Sequence, residues 1–123
     1  MKKYENYINE KYLEISEVMI NEFYLYQGNR ILYILEKDHL SATAIMIAWL
    51  DSYVIHIESF GNEVINTFEC ESLNSFYIDN LFNTMRLNKE KINEIDSKFG
   101  FNPYETEHYK VWLKQTKREE FNL

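Results

Sequence analysis

The chain has 123 residues, 46% of them hydrophobic and 16% aromatic, which is enough apolar mass for one packed domain and too much for a disordered chain. Its formal charge is -7, a balance that disfavours direct binding to nucleic acid or to anionic membranes. One cysteine, Cys70, excludes an internal disulfide. The opening MKKYENYINE is charged and has no apolar core, and no run approaches the roughly 18 apolar residues of a membrane span. A soluble, cytoplasmic protein of one domain over residues 1–123, with no cleaved leader, is the expectation.

The first segment reads as a helix, because Tyr4, Ile8, Tyr12, Ile15 and Met19 recur at three- and four-residue spacing with glutamates on the opposite face. From Glu22 the period changes. The run EFYLYQGNRILYILE predicts two strands joined at Gly28-Asn29, a two-residue hairpin signal that would set Tyr24 opposite Tyr33. TAIMIAWL, Thr43 to Leu50, is apolar on both alternating faces and suits a central strand or a short buried helix; the neighbouring strands favour the strand. Its flanks leave open a cap at Ser41 and a hairpin at Asp51-Ser52. YVIHIES and VINTFECE follow around Gly61-Asn62, read as a second two-residue turn.

Helical period returns after Ser72, a candidate N-cap, with Leu73, Phe76, Tyr77, Leu81 and Thr84 on one face. A second helix carries Ile92, Ile95 and Phe99 and stops at Gly100. Asn102-Pro103 starts a third, with Tyr104, His108, Val111, Trp112 and Gln115 on one side. The predicted class is α+β: an N-terminal helix, a four- to five-stranded antiparallel meander, then two or three C-terminal helices.

The charge is unevenly placed. From Asp38 to Met85 there is no Lys or Arg, while Asp38, Asp51, Glu58, Glu63, Glu69, Glu71 and Asp79 carry seven of the 20 acids. The other 13 acids balance the 13 Lys and Arg, so the net charge belongs to this middle window. A turn at Gly61-Asn62 would pair His56 with Thr67, Glu58 with Ile65 and Val54 with Glu69, giving the hairpin a polar, acidic outer face. His56 between carboxylates suits acid–base work, and His56, Glu58 and Glu69 suit a divalent ion. Neither pattern is specific: there is no nucleophile elbow, phosphate loop, HxH or HExxH, so no catalytic residue, metal or cofactor is assigned.

The leading expectation is a small acidic inhibitor that covers a basic surface of a partner protein, such as a nuclease toxin. In type alone the profile resembles bacterial immunity proteins and antitoxins, which are short, acidic and without a catalytic motif. The expected contact residues are Asp51, His56, Glu58, Glu63, Glu69, Glu71 and Tyr24. The alternative is a ligand-binding or enzymatic α+β domain with an aromatic-lined pocket, using His56 or His108 as its polar group. An exposed face on Thr43 to Leu50 would argue for a partner or a homodimer. A blander reading is that the middle acids serve solubility alone in a small protein of an AT-rich genome, a bias that the abundance of Asn, Ile, Lys and Tyr fits.

Overall fold

The structure is a computed structural model that describes residues 13, 17–38, 41–66 and 69–121. It is α+β, with five antiparallel strands among the described residues followed by three helices. The strands are β1 (Phe23–Tyr26), β2 (Arg30–Lys37), β3 (Ser41–Asp51), β4 (Val54–Asn66) and β5 (Cys70–Ser72). The helices are α1 (Ser75–Arg86), α2 (Lys89–Phe99) and α3 (Glu107–Phe121), with a short 3-10 turn at Pro103–Glu105. The sheet order is β4-β3-β2-β1-β5, so four strands form a meander and the fifth returns beside the first. The N-terminal helix expected over Tyr4 to Met19 lies almost wholly outside the described residues. At its described end, residues 17–19, the chain is not α-helical, and a turn follows at residues 20 and 21.

Gly28-Asn29 does lie in a hairpin, but the loop has three residues. Tyr26 pairs with Arg30, and Gln27 and Gly28 both take positive φ, 53° and 76°. The extra loop residue slips the register by one, so Tyr24 faces Leu32 and Phe23 faces Tyr33. Tyr24 and Tyr33 therefore enter different cores, and with Tyr26 all three are buried instead of forming an exposed tyrosine cluster.

The second Gly-Asn pair is not a turn. Gly61 (φ 94°) and Asn62 lie inside β4, which pairs with β3 along its length, Asp51 with Val54 at one end and Ser41 with Asn66 at the other. The hairpin between β3 and β4 turns instead at Ser52-Tyr53, with Ser52 at φ 59°. Near Gly61 the register jumps: Ile57 pairs with Ala48 and Gly61 with Met46, leaving three residues of β4 against one of β3. A glycine free of Cβ sterics bends a strand as readily as it reverses one.

That bend has a geometric purpose. Four residue-to-residue steps, Asn66 to Cys70, carry the chain from one edge of the sheet to the other. They reach at most about 14 Å, whereas four flat strand spacings measure about 19 Å. The sheet must curl, and the irregularities at Ile31/Leu32, Ile34/Glu36 and Met46/Ala48 provide the curvature. The Asn66 main chain accordingly reaches the Tyr26 hydroxyl, and Ile65 packs in one cluster with Tyr24, Tyr26 and Cys70.

Both faces of the sheet are thus buried. The helices cover one, where Phe23, Ile31, Tyr33, Ile45 and Ile47 meet Phe82, Met85, Ile92 and Trp112. The curl, with Leu13 and Val18, closes over Leu32, Ile34, Ala44 and Met46 on the other. Of the stretch Thr43 to Leu50, Ala44 to Ala48 are buried on both sides, while Thr43, Trp49 and Leu50 at its ends are half-buried. The helix boundaries follow their caps. Asn74, not Ser72, starts α1 by accepting the Tyr77 N–H on its side chain, while Ser72 ends β5. Gly100 closes α2 in the left-handed conformation that its missing Cβ permits. No helix among the described residues is long and apolar enough to cross a membrane.

Candidate functional site

The β3–β4 turn sets the first constellation by counting back from Asp51 and Val54: Leu50 pairs with Ile55 and Trp49 with His56. Alternation puts Trp49, His56 and Glu58 on the side of the sheet away from the helices, since Ile55 and Ile57 point into the helix-side core. The His56 ring stacks on the Trp49 indole, centroids 4.3 Å apart and planes within 18°. The indole N–H donates to Glu58 Oε2 at 2.9 Å. Trp49 is half-buried and its two clamps are exposed. The row continues across the sheet through the register pairs Trp49–Arg30, Arg30–Tyr26 and Tyr26–Cys70. Arg30 is a cation beside Trp49, and Glu69 closes the far end, where Tyr26 donates its hydroxyl to Glu69 Oε2 at 2.8 Å.

The seven contact residues expected from sequence do not form one patch. His56 and Glu58 meet around Trp49, and Asp51 and Glu63 are exposed along the same β3–β4 ribbon. Glu69 and Glu71 lie on or beside β5, four strands away in the sheet, and both are half-buried. The expected pairs of Glu58 with Ile65 and Val54 with Glu69 are not formed, because β4 runs through Gly61 without turning, and Thr67, the expected partner of His56, lies outside the described residues. Tyr24 is 7% exposed, with its hydroxyl bonded to the main chain of Met19 and Glu17, so its side chain is part of the interior.

Chemically this surface is suited to contact. Among the described residues no group of three or more His, Cys, Asp or Glu side chains is placed to hold a metal. Glu69 is committed to Tyr26 and Gln27 and does not converge with His56 and Glu58. Burial, reinforced by Glu69, pushes the Cys70 thiol up to about 12, and the same two causes push the Tyr26 hydroxyl to about 12. Cys70 therefore stays a protonated core thiol at neutral pH.

A second constellation lies on the helix side. At the start of β1, Glu22 and Phe23 face Ile78, Asp79 and Phe82 of α1 and Glu107, His108, Val111 and Trp112 of α3 across a groove of about 460 Å³. His108, Val111, Trp112 and Gln115 repeat at the helical spacing that places them on one stripe, as the sequence predicts, and this stripe is one wall. Asp79 Oδ1 accepts the Trp112 indole N–H at 2.8 Å, and His108 Nε2 meets Glu22 Oε2 at 2.5 Å. His108 is thus a rim residue of the groove, with its ring edge-on to Phe23.

Sequence reasoning overlooked Trp49 and the carboxylates of the groove. A turn at Asp51-Ser52, the hairpin the flanks left open, would pair Trp49 with Val54 by counting; the observed turn lies one residue later, at Ser52-Tyr53, and pairs Trp49 with His56. Nothing local marks Glu22, Asp79 and Glu107 as neighbours, since they come from three separate elements. The arrangement defines an α+β domain with a curled sheet, an open acidic-aromatic ribbon and a helix-side groove. No family model matches the chain, and no curated protein or solved structure matches it.

Proposed function

We propose that the protein is a small acidic protein-binding inhibitor, of the immunity or antitoxin type, that covers a basic surface of a partner such as a nuclease toxin. The observation that carries this reading is Trp49, half-exposed and held between the His56 ring and the Glu58 carboxylate on a ribbon without Lys or Arg from Ser41 to Asn66. Tryptophan is among the residues that most often dominate a protein interface, and one already fixed in place loses little freedom on binding. Exposed apolar area accompanies it, with Tyr53 72% and Val54 57% accessible at the turn. Asp51, Glu58 and Glu63 supply an acidic rim that would steer a cationic partner and reject anionic ones. The contact set is accordingly narrower than the sequence suggested: Trp49, Asp51, Val54, His56, Glu58 and Glu63.

The test is capture of a partner by the purified protein at low and then raised salt, followed by an assay of that partner's own activity. A basic protein that is captured, released by salt and inhibited when bound supports the reading. Capture without inhibition, or binding indifferent to salt, contradicts it. A second reading, a ligand-binding domain, is favoured by the helix-side groove alone.

A further inference from the structure

We propose that the groove between α1 and α3 binds a small organic cation, a protonated amine carried on an apolar or aromatic body. The inference deepens the ligand-binding reading and does not rest on the protein-binding one. Three features of the groove select this class. Its volume, about 460 Å³, is in the range of small-molecule sites. Its aromatic lining, Phe23, Phe82 and Trp112, is already ordered by ring-to-ring contacts of Phe82 with the other two, at 5.7 and 5.5 Å. Such a lining accepts hydrocarbon and, at a ring face, a cation.

The third feature is charge. Glu22, Asp79 and Glu107 bring three carboxylates to the lining, and no Lys or Arg among the described residues lines it. His108, even when protonated, offsets only one of them, so the groove is negative in either state of the imidazole. Asp79 uses Oδ1 for the Trp112 indole, and its second oxygen remains to accept from a ligand. Anionic ligands such as phosphates meet repulsion here. A bare metal ion finds no suitable cluster among the described residues. A positively charged head beside Asp79 and Glu107, with its apolar body among the rings, satisfies both halves of the lining.

The two tryptophans of the chain lie in the two different sites, so their indole N–H resonances report separately. The experiment titrates the full chain with phenethylammonium at neutral pH, then with neutral 2-phenylethanol and anionic 3-phenylpropionate. Trp49→Phe leaves Trp112 as the single indole and assigns it. The expected result is saturable movement of the Trp112 resonance with phenethylammonium, and binding at least about tenfold weaker for the other two. Asp79→Asn with Glu107→Gln keeps an acceptor for the indole and should weaken the amine about tenfold. Glu107→Gln alone, on an exposed residue, should weaken it about two- to fivefold. No saturable movement at Trp112 overturns the proposal, as does equal affinity for 2-phenylethanol or an unchanged affinity in these variants. Movement at Trp112 with a lysine-rich peptide but not with phenethylammonium also overturns it, and makes the groove part of a protein interface.

Discussion

Trp49 and Trp112 make the same local bond in different surroundings. Each donates its indole N–H to a carboxylate, Glu58 at 2.9 Å and Asp79 at 2.8 Å. Trp112 is 9% exposed and packs at tilted angles on Phe82 and Tyr109 between the helices and the sheet. Trp49 sits half-open on a strand ribbon, held by one imidazole. The bond is therefore not what decides the role. In one place neighbouring elements wrap the ring into a concave wall, while in the other the sheet presents it to whatever approaches.

Substitution should separate the two most sharply. Trp112→Ala removes a buried ring and should cost about 3–5 kcal/mol in chemical denaturation. Trp49→Ala loses mainly a surface stack and should cost about 1 kcal/mol. Comparable losses would mean that Trp49 is a core residue and the ribbon is not an open surface.

Alkaline titration bears on the interior that both surfaces rest on. Burial raises the hydroxyls of Tyr24, Tyr33, Tyr104 and Tyr109, and takes those of Tyr26 and the Cys70 thiol to about 12. These groups stay protonated in the folded chain while the unfolded chain ionises near 9 for the thiol and 10 for the phenols. Stability is then fully present below about pH 9 and falls as pH rises toward 12. Tm measured from pH 7 to 11 should be flat at first and then drop; a rising or flat profile above pH 10 would contradict this burial.

Gly61→Ala tests the curl that separates the two environments. A Cβ there would meet only the Phe99 ring, at 3.8 Å, so space is not the obstacle. The positive φ is, and should cost about 1–2 kcal/mol by denaturant midpoint. No loss would indicate that β4 does not need its bend.

Much of this layout was legible in the chain. The strand from Thr43 to Leu50, the helix ended by Gly100 and the stripe from His108 to Gln115 all followed from period and caps, because local sterics decide them. The failures share one cause. A Gly-Asn pair signals positive φ without saying whether the chain reverses, as near Gly28, or only bends, as at Gly61. Reading Gly61 as a turn moved Glu69 beside His56 and joined acids that the sheet keeps on different strands. Pairing of Glu22, Asp79 and Glu107 depends on how α1 and α3 pack on β1, which no local pattern encodes.

The central claim is that the β3–β4 ribbon, and not net charge, holds a basic partner. The most direct measurement compares the affinity of the captured partner for Asp51→Lys/Glu63→Lys with that for Glu36→Lys/Glu105→Lys. Both pairs are exposed and change the charge equally. The predicted result is a loss of about tenfold or more in the first variant and little change in the second. Equal losses in the two variants, or a larger loss in the second, would contradict it.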